Sequence, residues 1–200
     1  MAMTMRVAIL SLFLLLICDI SAGEPEAPAK QEAHGKSTPW KGKAHEIPGV
    51  IEAEHYDEGP AGVAYFDTTP KNQGVAYRGE TGVDIEGRPD ASNLHGIGWT
   101  RTGEWLLYTV DVKEAGTYTV EFPVASNKKG GEFHLEFNGE NVTGKIDLPD
   151  TGAWTKLVTI SKTGVKLKSG LQVLKLSLDK NGESGSIGDI DLMRFTRSGD

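Results

Sequence analysis

Two tryptophans, Trp99 and Trp154, stand where a chain can display an aromatic ring. Trp99 lies in the stretch NLHGIGWTRTGEWLLYTV, residues 93–110, punctuated by Gly96, Gly98 and Gly103. An indole between glycines has little local packing to draw it inward, so Trp99 is a candidate for an exposed aromatic platform, with burial in the core as the competing reading. Trp154 follows the Gly152-Ala153 turn and admits the same two readings, whereas Trp105, in mid-strand, is expected in the core. Acids point to no reaction by themselves: among 28 Asp and Glu residues a carboxylate pair at hydrolase separation can always be nominated. His34, His45, His55, His95 and His134 show no metal-site or triad spacing, although His95 shares the Trp99 loop.

The elements that must carry these rings read as strands. From Glu104 onward, Trp105, Leu107 and Thr109 alternate with Leu106, Tyr108 and Val110, and apolar residues on both sides predict a strand covered on both faces. Tyr118, Val120, Phe122 and Val124 alternate with Thr117, Thr119, Glu121 and Pro123, giving one buried and one wet face. Leu174, Leu176 and Leu178 do the same against Lys175 and Ser177, and Asn138-Gly139 predicts a tight hairpin turn with positive φ. Strands are predicted at residues 50–55, 63–67, 83–86, 104–112, 117–126, 132–138, 142–148, 155–161, 171–179 and 189–196. No stretch has a capped helical period, and 25 glycines and nine prolines sit between β-branched and aromatic runs. The expected architecture is all-β, a jelly-roll sandwich of two antiparallel sheets.

A formal net charge of −7, with no basic run or Lys/Arg stripe, excludes a nucleic-acid partner. Residues 1–23, with Arg6 before the apolar run from Val7 to Cys18 and small residues at Ser21-Ala22-Gly23, read as a secretory signal peptide too short to span a membrane. Residues 24–45 read as a flexible tether in which Trp40 is a docking side chain, and residues 46–197 as one domain. Cys18 is the only cysteine, so the exported domain holds together without disulfides.

Several blocks together resemble a family 6 carbohydrate-binding module: Ile51-Glu52-Ala53-Glu54, GIGWTRTGEWLLYTVDVKEAGTYTVEFPVAS, GGEFHLEFNGENVTG, the Thr151-Gly152-Ala153-Trp154 turn and the closing DIDLMRF from Asp189 to Phe195. They run in the family's order through essentially the whole ordered chain. The resemblance implies a loop-end cleft in which a sugar ring lies between Trp99 and Trp154, with Glu86 accepting hydroxyl protons and Asp189 at the family's asparagine position. An aspartate there only accepts, so the sugar must supply the protons. The loop before it, KNGESGSIG, lacks the aromatic that relatives place there, so a third stacking surface is absent or moved. The resemblance also implies a structural calcium held by Glu52, Glu54 and Asp191, the two glutamates sharing one face of the first strand. The expected function is a secreted, non-catalytic module that binds plant or algal cell-wall polysaccharide by aromatic stacking, working beside a separate glycan-degrading enzyme. The alternatives are a glycan-cleaving enzyme subunit and a calcium-stabilised adhesive surface protein.

Overall fold

Alternating burial along β-branched and aromatic runs builds the molecule. The computed structural model describes residues 36–199, so the expected signal peptide, Cys18 and the first part of the tether lie outside the described residues. The strands are β1 (His45–Ile47), β2 (Gly49–Glu52), β3 (Tyr65–Phe66), β4 (Ile85–Gly87), β5 (His95–Ile97), β6 (Trp105–Val112), β7 (Gly116–Ser126), β8 (Glu132–Phe137), β9 (Glu140–Asn141), β10 (Ile146–Asp147), β11 (Ala153–Leu167), β12 (Gly170–Lys180), β13 (Asp189–Ile190) and β14 (Leu192–Arg197). One sheet runs β1-β6-β12-β8-β10, with β3 also on β6 and β9 on β8. The other runs β2-β14-β7-β13-β5-β4, with β11 on β7. All strand ladders but β1 on β6 are antiparallel. The fold is the expected all-β jelly-roll sandwich.

The inner faces meet as the alternation requires. Tyr118, Val120, Phe122 and Val124 of β7 face Phe133 and Leu135 of β8 and Leu174, Leu176 and Leu178 of β12 across one core. Phe122 and Phe133 join the sheets edge to face, with ring centroids 5.1 Å apart. The Asn138-Gly139 turn has the expected positive φ at both residues, 50° and 82°.

Several predicted strands differ. The β6 strand is buried on one side only: Leu106, Tyr108 and Val110 are core, while Trp105, Leu107 and Thr109 lie half-buried on the outer face. Trp105 is therefore not a core residue. The β11 strand continues past the predicted residue 161 to Leu167, because a register shift between Lys162 and Val165 absorbs Gly164. Within residues 142–148 only β10 forms a strand, since Thr143 and Gly144 turn the chain and the Gly144 N–H donates to the Asn141 side-chain oxygen Oδ1 at 2.7 Å. The short β5 strand, which lacks an alternating pattern, was not predicted.

Residues 36–45, read from sequence as tether, fold onto the sandwich. Thr38 and Glu58 exchange backbone hydrogen bonds of 3.0 and 2.7 Å. Trp40 docks as expected: it stacks on His55 with centroids 5.2 Å apart, and the buried Arg78 guanidinium lies between the Trp40 and Tyr56 rings, 3.9 Å from each centroid. Arg78 Nη1 also donates to the carbonyls of Glu54 and Tyr56 at 2.8 and 2.7 Å. A desolvated guanidinium between two rings is a favourable cation–π contact. Trp40→Ala is expected to lower unfolding stability by about 1–2 kcal/mol; an unchanged urea midpoint would show that the strap contributes nothing.

Candidate functional site

At one end of the sandwich, loops enclose an open cleft of about 360 Å³ lined by Glu86, Trp99, Arg101, Trp154, Ser184, Gly185, Ser186 and Asp189. All four residues expected to bind sugar thus come together from distant parts of the chain. Trp99 is 38% exposed and Trp154 is partly buried, so neither indole is consumed by the core.

Backbone constraints aim the Trp99 ring. Trp99 takes a left-handed conformation, φ 49°, which costs a bulky L residue about 1–3 kcal/mol. The next residue is anchored twice over: Thr100 Oγ1 donates to the Gly188 carbonyl at 2.5 Å, and the Ile187 N–H donates to the Thr100 carbonyl at 2.9 Å. Buried Glu104 closes the loop from the other side, accepting from the Arg101 N–H at 2.8 Å and from the Thr68 hydroxyl at 2.6 Å. Gly98 supplies space, since a Cβ there would lie 3.0 Å from Glu86 Cγ and 3.3 Å from Asp189 Oδ1. Trp154 is presented by a turn pinned through Thr151, whose hydroxyl accepts from the Ser126 N–H at 3.0 Å, with Gly152 at φ 89°.

Beneath the cleft lies Arg88, which sequence reasoning missed. It sits in GRPD, a run that reads as a surface turn, yet it is 4% exposed. Arg88 Nη1 donates to Asp189 Oδ2 at 2.7 Å and to Glu86 Oε2 at 2.9 Å; Nη2 donates to the Trp154 carbonyl at 2.7 Å and to Asp90 Oδ2 at 3.0 Å. One guanidinium therefore ties both cleft carboxylates to the backbone of the second tryptophan. Burial, then repulsion from Glu86, pushes the Asp189 pKa up to about 7, and Arg88, shared among three carboxylates, only partly opposes this. Arg88 serves Asp189 Oδ2, so the expectation that a sugar supplies the proton at this position now concerns Oδ1. Oδ1 keeps no protein partner among the described residues.

The Lys180–Gly188 loop brings no aromatic to the cleft, and Ser184, Gly185 and Ser186 form that wall instead. His95 does not line the cleft; its ring packs at a tilt against Tyr77, with centroids 4.1 Å apart.

The expected calcium ligands form a second cluster. The β2 strand ends at Glu52, so Glu54 lies in the turn beyond it and strand alternation does not place the two glutamates on one face. Ser92 links two of the three acids instead: its hydroxyl donates to Glu52 Oε2 at 2.5 Å and to Asp191 Oδ1 at 3.2 Å. Among the described residues no three acids or histidines converge into a ready metal shell. Even so, Glu54 is fully buried, its Oε2 has no hydrogen-bond partner, and burial with the nearby charges of Glu52 and Asp191 pushes its pKa up to about 7. An orphaned hard oxygen beside two further carboxylates suits a calcium ion.

A model of carbohydrate binding module family 6 matches residues 73–197. The clotting factor G alpha subunit of Tachypleus tridentatus is 35% identical over 100 residues, which is 49% of this chain and 15% of that protein. Isomaltosyltransferase of Sporosarcina globispora is 30% identical over 120 residues, 56% of this chain and 10% of that enzyme. The chain thus corresponds to a small part of each. The crystal structure of the C-terminal family 6 module of LamC, a marine laminarinase from Zobellia galactanivorans, aligns with TM-score 0.56 and 26% identity over 74% of this chain and 98% of the module. A β-1,3-glucan-binding family 6 module from Bacillus halodurans shares the fold, with TM-score 0.59 and 22% identity over 78% of this chain and all of that one.

The Arg88 network makes its own prediction. Arg88→Met strands three carboxylates, two of them at the cleft floor, and is expected to cost about 3–5 kcal/mol in urea unfolding. Asp189→Asn removes a buried charge together with its desolvation penalty and is expected to cost clearly less; equal costs would contradict the proposed role of Arg88.

Proposed function

The chain belongs to carbohydrate-binding module family 6, and on that premise we propose that it is a secreted, non-catalytic module that holds polysaccharide chains or chain ends between Trp99 and Trp154. The observation that carries this reading is the meeting of two unconsumed indoles with two carboxylates in one cleft. A pyranose ring has an apolar face of C–H groups that lies on an indole, and a hydroxyl edge that needs acceptors. Glu86 Oε1 and Asp189 Oδ1, left without protein partners, supply acceptors at the floor. The polysaccharide is of plant or algal cell-wall type, and the module acts beside a glycan-degrading enzyme carried on another chain. Export through the signal peptide at residues 1–23 belongs to the same reading.

We read the cleft as a binding site rather than a catalytic one. The floor carboxylates are pinned by one guanidinium, which suits fixed acceptors better than a proton shuttle. The rigid backbone around Trp99 and Trp154 means that little conformational entropy is lost when a sugar arrives.

Glu52, Glu54 and Asp191 are proposed to hold a structural calcium, which would supply positive charge where like charges otherwise meet. It would tie the end of β2 to the junction of β13 and β14, doing what a disulfide does in other exported domains.

Two measurements test these readings. In calorimetric titrations against soluble xylan, cello-oligosaccharides, laminarin and agar oligosaccharides, at least one is expected to bind, and Trp99→Ala or Trp154→Ala is expected to weaken it about tenfold or more. No heat with any glycan from the folded domain, or reducing-sugar release that survives purification, would overturn the binding reading. Calcium is expected to raise the melting temperature by several degrees and a chelator to reverse this, with Glu54→Gln losing the response; a melting temperature indifferent to chelator would remove the ion.

A further inference from the structure

Arg101 is the one arginine among the described residues whose side chain pairs with no carboxylate. Arg78, Arg88, Arg194 and Arg197 each hold one at ion-pair distance. In a chain with 28 acidic and 21 basic residues an arginine finds an acid readily, so a guanidinium left free is informative when it lines the ligand cleft. Its position is set by the backbone: the Arg101 N–H donates to Glu104 Oε2 at 2.8 Å, and the residue before it is locked to Gly188 and Ile187. The stem thus leaves a fixed point while the guanidinium keeps all its donors. Ser184 lines the same cleft; its oxygen accepts from the Ser186 N–H at 3.4 Å and its own O–H donates to no acceptor among the described residues.

We propose that the glycan held in this cleft carries an anionic substituent, a uronate carboxylate or a sulfate ester, and that Arg101 binds it. The inference rests on the reading of the cleft as a sugar site and adds the class of sugar. A guanidinium presents parallel N–H donors that match the paired oxygens of a carboxylate or sulfate, and such charge-assisted bonds are about twice as strong as neutral ones. The carboxylates at the floor do not prevent this: Arg88 offsets part of their charge, and the proposed function assigns them to the hydroxyls of the sugar. The overall charge sharpens the argument. At net −7 the protein repels polyanions at long range, so acidic glycans gain nothing from non-specific attraction and a preference for them has to come from contact in the cleft.

The test uses matched pairs titrated calorimetrically at one fixed ionic strength: xylo-oligosaccharides with and without a glucuronate branch, and sulfated galactan oligosaccharides with and without their sulfates. One charged member is expected to bind about fivefold to tenfold more tightly than its neutral partner, the pair that responds identifying carboxylate or sulfate, and Arg101→Gln is expected to bring that ratio close to one. Arg101 is exposed and its side chain makes no internal hydrogen bond, so the variant is expected to fold, which circular dichroism checks. Neutral members that bind while both charged members bind no better would overturn this inference and leave the sugar site standing; a preference that survives Arg101→Gln would overturn it as well. Binding of none of the four would overturn this inference, and the sugar site falls with it only if cello-oligosaccharides and laminarin give no heat either.

Discussion

The cleft depends on one buried guanidinium. Arg88 reaches Glu86 on β4, Asp189 on β13 and the carbonyl of Trp154 at the start of β11, so the positions of two cleft carboxylates and one cleft indole are coupled. Each partner satisfies a need of the others. The carboxylates could not stand so close beneath a half-closed cleft without a cation between them, and the cation could not be buried without the carboxylates. Asp189 shows how near the balance lies, with its pKa at about 7 despite a 2.7 Å contact to Arg88. The other tryptophan is fixed by independent means, through a left-handed backbone and the clasp of Thr100 on Gly188. Two separately anchored rings over one ion-paired floor make the preorganised cleft that the proposed function requires.

The opposite logic governs the Glu52, Glu54 and Asp191 cluster. There no arginine is interposed, a serine hydroxyl links two of the acids, and a buried carboxylate oxygen goes unanswered. The two clusters differ in kind: Arg88 pairs directly with the cleft carboxylates, whereas among the described residues no arginine hydrogen-bonds to Glu52, Glu54 or Asp191. With a single cysteine in the whole chain, no internal disulfide can take over the tethering of the terminal strands.

Much of this was legible in the residues. The inward alternation of Tyr118, Val120, Phe122 and Val124 and of Leu174, Leu176 and Leu178 marks strands because burial on one face of a sheet imposes a period of two. The pairing of Trp99 with Trp154, and of Glu86 with Asp189, was legible only through the resemblance to a family, since nothing local links residues so far apart. Arg88 was hidden because an arginine beside proline and aspartate looks like a solvated turn, and only the tertiary fold brings Asp189 to it. Trp105 misled for the converse reason: apolar residues on both sides of β6 suggest two covered faces, but the outer one is open. The β11 strand outran its prediction because a bulge lets Gly164 interrupt the sequence pattern without ending the ladder.

The proposed place for the sugar is between Trp99 and Trp154, not on the outer face of β6. The chain has four tryptophans, Trp40, Trp99, Trp105 and Trp154, each with one indole N–H, and they report on the docked strap, the cleft and the open sheet face separately. Following the four indole resonances by proton–nitrogen correlation spectroscopy during titration with a bound oligosaccharide distinguishes these places directly. Binding in the cleft is expected to shift Trp99 and Trp154 together along one saturation curve while Trp40 and Trp105 stay in place. Movement of Trp105 with Trp99 and Trp154 unmoved would contradict it.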